Sequence, residues 1–206
     1  ERFLYPLWDA GLKVGHAVRT IPECVDIARV EMTTRSSLLD HRYVTGSKKL
    51  YARFQKAFDR RVFGKDRPHF VRFKLEEIVT RRERMGDAVY RNEPDLKEGE
   101  GGLRDAQTVI WIGRTVWRIR EARGLVSEHV AARNQIIEYA AALEFILRVR
   151  RALHKLAGRR DDRLSFIRQK EIALAFGYTD GEQGISPELF MRDLLRHQSA
   201  VQQLLD

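Results

Sequence analysis

The 206-residue chain holds one cysteine, five prolines and three methionines, and no apolar run nears the ~18 residues that would argue for a membrane span. Cys24 alone cannot form an internal disulfide or supply a second thiolate to a zinc cluster, so it is expected to be a small buried hydrophobe. The six histidines, at positions 16, 41, 69, 129, 154 and 197, never pair at i, i+4, and H-E-x-x-H is absent. A zinc or di-iron site built from this chain is therefore not expected. No G-x-S-x-G elbow supports a hydrolase, and no G-x-x-x-x-G-K-[ST] loop supports a P-loop nucleotidase. The start lacks the basic-then-apolar layout of a secretory signal, which leaves a cytoplasmic address as the expectation. There is no internal repeat and no low-complexity tract.

What is present suits a folded, heavily ionised protein. Hydrophobic residues make up 43% and charged residues 33%, enough for one good-sized core or two small ones. The net charge of +9 admits nucleic acid, nucleotide phosphates, an acidic protein surface or an acidic membrane; it names a sign and not a ligand. Residue 1 is not methionine and "ERFLYPLWDAGL" reads like the middle of an amphipathic segment, so a fragment of something longer is expected.

Only the first 46 residues have mixed α/β character. Val14, His16 and Val18 alternate with Lys13, Gly15, Ala17 and Arg19, which predicts a short strand over 13–19, and "SSLLDHRYV" predicts a second over 36–44. Between them, Thr20 and Glu23 have capping-box spacing with Pro22 early, predicting a helix to about Arg29. After Gly46 the apolar period becomes 3.6. Leu50, Phe54, Phe58 and Val62 mark one helix, and Phe70, Phe73, Leu75, Ile78 and Val79 a broken stripe on the next. Val109, Ile112, Val116 and Ile119 form a stripe ending near Gly124. Ile136, Tyr139, Leu143, Ile146 and Leu153 share a face whose opposite side carries Glu144, Arg148, Arg151 and Lys155. Gly177 reads as a helix stop, and Ser186 before Pro187 as the start of a last helix facing the core through Phe190, Leu194, Val201 and Leu204.

The stretch "LKEGEGGLRDAQ" carries the chemistry most open to interpretation. Gly99, Gly101 and Gly102 precede Leu103 and Arg104 at a helix entrance, an arrangement able to present amide N–H groups to an anion at the positive end of a helix dipole. The same residues fit a plain connector in which Asp105 and Glu100 favour the helix N-terminus. "RRER" at 81–84 and "RRDDR" at 159–163 read as solvated charge clusters. The stripe of Arg148, Arg151 and Lys155 could meet an acidic partner or a triphosphate, with Arg150 and His154 near the apolar boundary. Trp8, Trp111 and Trp117 fit core packing better than a base-stacking platform.

Three stretches together, "FLYPLWDAGLKVGHAVRT" at 3–20, "SSLLDHRYVTG" at 36–46 and "EPDLKEGEGGLRDAQTVIW" at 93–111, resemble the bacterial PII uridylyltransferases, bifunctional enzymes of nitrogen regulation that also remove the uridylyl group. "RALHKLAGRRDDRLSF" at 151–166 extends the resemblance along essentially the whole chain. It implies a mainly α fold: residues 1–47 as the C-terminal part of a polymerase-β-like α/β nucleotidyltransferase domain, and 48–206 as the helical bundle domain that follows it. In that family an HD hydrolase domain and two ACT domains come after. The family's Asp-x-Asp metal pair has no match in this chain, so Mg²⁺ would be held by residues upstream, no metal ligand is assigned here, and the piece alone is not expected to catalyse.

The implied activity is transfer of UMP from UTP to a tyrosine of the PII protein. On the resemblance, Lys97, Arg104 and the amides around Gly101 and Gly102 would contact phosphate or order the cleft, and Asp40, the nearest acid on a candidate strand, is the candidate third carboxylate against a surface role or pairing with Arg42; Asp105 would bind an arginine or cap its own helix and is given no metal role. Two other classes are weighed beside this: a non-catalytic helical module binding an acidic protein or a nucleotide, and a nucleic-acid-binding bundle suggested by charge alone. No membrane partner is expected.

Overall fold

The computed structural model describes residues 3–64, 66–85, 92–179 and 184–205. Among these residues the protein is mainly helical and contains no sheet, only isolated bridges between Asp95 and Arg163 and between Thr179 and Ile185. The chain divides after Gly64 into two compact units. In the first lie α1 (Tyr5–Asp9), α2 (Ile21–Val30), α3 (Met32–Leu39) and α4 (Lys48–Val62). The second holds α5 (Arg67–Arg84), α6 (Leu103–Trp117), α7 (Gly124–Ser127), α8 (Arg133–Ala157), α9 (Phe166–Ala175) and α10 (Pro187–Gln202). No described helix is long and apolar enough to cross a membrane.

In the first unit α2 packs on both α3 and α4. The capping box that starts α2 is formed: the Thr20 side chain accepts from the Glu23 N–H, and Glu23 accepts from the Thr20 N–H at 2.6 Å. Neither expected strand is present. Residues 12–19 take no regular structure, and Val18 is 99% exposed. An alternating pattern becomes a strand only when a neighbour accepts its backbone hydrogen bonds, and no strand exists among the described residues.

The second expected strand fails for a different reason. Its first residues, Ser36 to Leu39, complete α3, whose buried positions Met32, Arg35, Ser36 and Leu39 follow helical spacing. Two of the four are polar, so a count of apolar residues alone missed the stripe. Arg35 is buried because its Nη2 donates to the Val62 carbonyl at 2.9 Å, tying α3 to the end of α4. That contact places α4 within the first unit, so the change of hydrophobic period near Gly46 marks the start of a helix and the division of the chain falls at Gly64.

The second unit is built on α8 and α10, with α9 and α6 against them and α5 on α6. Ile146, Leu153, Phe190, Leu194 and Val201 are fully buried along this seam, as the expected stripes require, and Val149 joins them. Gly177 ends the α9 segment with φ +75°, and the Ser186 side chain accepts from the Leu189 N–H to start α10. Helix α5 departs from expectation: it buries Phe70, Lys74, Ile78 and Arg81, while Leu75 and Val79 face outward. Helix α6 stops at Trp117, before Ile119, because Arg118 takes the left-handed conformation. Trp111 is core and Trp117 packs on it, whereas Trp8 is 37% exposed and meets Tyr5 and His16 edge-on. Cys24 is half-buried rather than part of the core.

Candidate functional site

The glycine loop is a closed structure. Asp95 starts it: its Oδ1 accepts from the N–H groups of Lys97 at 2.8 Å and Glu98 at 2.6 Å, an Asx turn that reverses the chain. Leu96, with no exposed surface, anchors the turn in the core. The turn then folds back on itself, with the Gly99 N–H donating to the Asp95 carbonyl, Gly102 to Gly99, Leu103 to Leu96 and Arg104 to Lys97. A Cβ on Gly99 would stand 2.4 Å from the Asp95 carbonyl oxygen, which no side chain permits. Gly102 is the N-cap of α6.

Beneath the loop lies a buried charge pair. Asp105, in the first turn of α6, has no exposed surface; its Oδ1 accepts from Arg81 Nη2 of α5 and its Oδ2 from the Gly101 N–H at 2.8 Å. Burial pushes the Asp105 carboxyl up, against the opposing pull of the Arg81 charge and the Gly101 amide. Asp105, given no metal role from sequence, is thus the strut on which the loop rests. Arg81 sits at the last of the helically spaced positions 70, 74, 78 and 81, and that spacing was the available sign that one arginine of "RRER" points inward.

The expected phosphate ligands divide into two groups. The N–H groups of Gly101, Gly102, Leu103 and Arg104 all have acceptors within the chain, so the amides form no open anion cradle. The side chains of Lys97 and Arg104 instead converge on Glu98: Lys97 Nζ lies 2.6 Å from Oε1, and Arg104 Nη2 donates to the same oxygen at 3.1 Å. Burial acts to raise the Glu98 carboxyl, but the hydrogen bonds from Lys97 and Arg104 outweigh it and hold it below the usual range. Arg104 also donates to Gln107 and lies 5.9 Å from the centroid of the Trp111 ring. Lys74 Nζ is 4.5 Å from that same centroid and donates to Glu77 at 2.7 Å. The structure thus brings the Lys97 and Arg104 side chains together at Glu98, while the Gly101 and Gly102 amides are occupied within the loop and its helix. Asp40 belongs to the first unit, where it is exposed and caps the C-terminus of α3.

The second quoted cluster, "RRDDR", locks the loop from the other side. Leu96 N–H donates to the Asp162 carbonyl and Leu164 N–H to that of Pro94, forming the bridge between Asp95 and Arg163. Asp162 accepts two bonds from Arg150, at 2.6 and 3.0 Å, and pairs with His154 Nε2 at 2.8 Å. Arg163 donates to Glu93, whose other oxygen accepts from the Phe166 N–H at the start of α9. Arg159 and Arg160 are exposed, as a solvated cluster requires, whereas Asp162 and Arg163 join the loop to α8 and α9.

Asp162 gives the lock a pH signature. Burial tends to raise its carboxyl, but the bonds from Arg150 and His154 prevail and lower it below the ordinary value. A depressed folded value means that its contribution is present above the unfolded value of about 4 and is lost as pH falls through the folded one. Asp162→Asn is expected to cost about 1–3 kcal/mol near neutrality and to flatten the acid limb of stability below about pH 4, read as urea midpoint against pH.

The fold and loop define a class, an all-helical module in which a glycine loop is cross-tied by buried ion pairs. The chain belongs to the GlnD PII-uridylyltransferase family, whose profile matches residues 69–206. It is 41% identical over 194 residues to the bifunctional uridylyltransferase/uridylyl-removing enzyme of Azospirillum brasilense, an alignment covering 93% of this chain and 21% of that protein. The Rhodospirillum rubrum enzyme of the same name is 42% identical over 192 residues, covering 93% of this chain and 20% of its own length. That of Cereibacter sphaeroides is 39% identical over 206 residues, covering 99% and 22%. The chain thus spans about a fifth of the length of the curated relatives it matches. No solved structure matches it.

Proposed function

We propose that the chain is part of a PII uridylyltransferase that moves UMP from UTP to a tyrosine hydroxyl of the PII protein, the full enzyme also removing that group. In this reading the first unit belongs to the nucleotidyltransferase domain and the second is the helical domain that accompanies it. The observation that carries it is the placing of Lys97 and Arg104 around Glu98 on a rigid loop inside the residues matched by the family profile. When the tyrosine oxygen attacks the α-phosphate, negative charge grows on the phosphoryl oxygens and on departing pyrophosphate. Fixed cations stabilise that charge best when their positions do not have to reorganise. The Asp95 turn and the Arg81–Asp105 pair beneath it supply that rigidity, and Trp111 holds the Arg104 guanidinium from below. Among the described residues no group of three or more His, Cys, Asp or Glu side chains could hold a metal. In this reading Mg²⁺ would be held by residues of the parent enzyme outside this chain. Asp40 remains a proposed acid of the transferase half.

The test is made in the full-length enzyme. Arg104→Ala is expected to lower transferase turnover about 10- to 100-fold, the worth of one charge-assisted contact, while leaving uridylyl removal unchanged. Equal loss of both activities would assign Arg104 a folding role, and unchanged transfer would take the loop out of the site.

A further inference from the structure

Helix α9 is apolar on two opposite sides. Gln169, Ile172 and Ala173 are buried, on the side that packs against α8 and α10. Ile167 and Leu174 lie two turns apart along the other side, 72% and 61% exposed, with Phe166 at the margin of the same face, 59% exposed. Apolar side chains gathered on one exposed helix face mark a contact surface. Midway between Ile167 and Leu174 stand Lys170 and Glu171, which at about 100° per residue fall on opposite flanks of the apolar line. Lys170 is exposed and has no ion pair among the described residues. Glu171 accepts from Arg168 Nη1 at 2.5 Å and keeps 40% of its side chain exposed.

We propose that this face docks on the same face of a second copy of the chain, the two α9 helices running parallel about a twofold axis between them. Such an axis preserves height along the helix and exchanges its flanks. Ile167 then meets the partner's Ile167 and Leu174 the partner's Leu174, while each Lys170 meets the partner's Glu171. An antiparallel pairing would keep each flank on its own side and set Lys170 against the partner's Lys170 and Glu171 against the partner's Glu171, contacts that repel. The charges on α9 therefore select both the occupant and its direction. A second copy supplies both counter-charges in the required places by symmetry, whereas an unrelated surface would have to carry each independently. One face of a helix of 10 residues offers less than the ~800 Å² per partner of a stable interface, so the dimer is weak and dissociates at about 10–100 μM. None of these residues belongs to the glycine loop, and the proposal does not depend on the transferase reading.

The experiment is sedimentation velocity of the 206-residue chain from about 5 to 500 μM, a range chosen to bracket that dissociation constant. The parent chain is expected to pass from monomer to dimer across it. Lys170→Glu and Glu171→Lys, each alone, are expected to weaken the dimer at least about tenfold, because either one sets like charges across both contacts. An equimolar mixture of the two variants is expected to dimerise again, since their heterodimer pairs opposite charges on both flanks, and the chain carrying both substitutions is expected to dimerise like the parent. At about 5 μM, below the dissociation constant, the thermal midpoints are expected to match, because both side chains are exposed and the Arg168 pair is a surface one. A parent chain monomeric at every concentration would overturn the proposal and leave the face to another part of the parent enzyme. A dimer indifferent to both single substitutions would place the contact elsewhere, and a mixture no stronger than its components would reject the parallel twofold.

Discussion

Asp105→Ala is expected to cost the second unit about 3–5 kcal/mol, because it strands the buried Arg81 guanidinium without its counter-charge. Arg81 is 3% exposed and Asp105 has no exposed surface, so water cannot replace the lost carboxylate without opening the α5–α6 contact. The substitution also leaves the Gly101 N–H without an acceptor, a second desolvated group of the kind that costs about 1–3 kcal/mol. Urea unfolding of the 206-residue chain, followed by circular dichroism, reads the loss directly. The informative companion is Arg81→Met with Asp105→Leu. Removing both charges takes away the desolvation penalty along with the attraction, and the double variant is expected to recover most of the lost stability. A double variant as unstable as the single would mean that Asp105 acts mainly through the loop amide and not through Arg81.

The mixture of what could and could not be read in advance follows from the kinds of residue involved. Helices α8 and α10 were legible because their buried faces are mainly apolar, and the end of the α9 segment and the start of α10 because Gly177 and Ser186–Pro187 stand in positions with one structural meaning. Helix α3 and the inner face of α5 were not, since Arg35, Ser36, Lys74 and Arg81 occupy core positions that hydrophobic periodicity scores as surface. Each is buried beside a specific partner distant in sequence or one helical turn away: the Val62 carbonyl for Arg35, Met32 for Ser36, Glu77 for Lys74, Asp105 for Arg81. The pairings of Arg35 and Arg81 depend on tertiary structure, while those of Ser36 and Lys74 lie within their own helices, where hydrophobic periodicity gives a polar residue no weight. The segment 13–19 is the converse case, with local preference present and the neighbouring strand it requires absent from the described residues. For the glycine loop, the helix entrance at Leu103 was legible, while the occupancy of its amides was not, because three of the four acceptors come from the loop's own backbone and the fourth is Asp105.

The same distinction sets the expected outcome for Gly101→Ala. A glycine kept to let a phosphate approach would be silent in a protein without nucleotide, and its loss would appear only in catalysis. Gly101 instead has φ +67°, and a Cβ there would stand 2.2 Å from the Gln198 carbonyl oxygen of α10. The left-handed conformation costs an alanine about 1–2 kcal/mol, and forcing loop and helix apart adds about 1–3. Against these stands only the gain of about 0.4–1 kcal/mol from a stiffer unfolded chain, so the net loss is expected to be about 1–5 kcal/mol with no ligand present. The obstructing atom is backbone, which cannot rotate away, and α10 lies along α8 through the core of the unit. Hydrogen exchange is then expected to quicken in the loop and in α10 around Gln198 together. Exchange that quickens in the loop alone would show that the contact with α10 gives way freely, and stability equal to that of the parent chain would return Gly101 to the role of a ligand-facing residue.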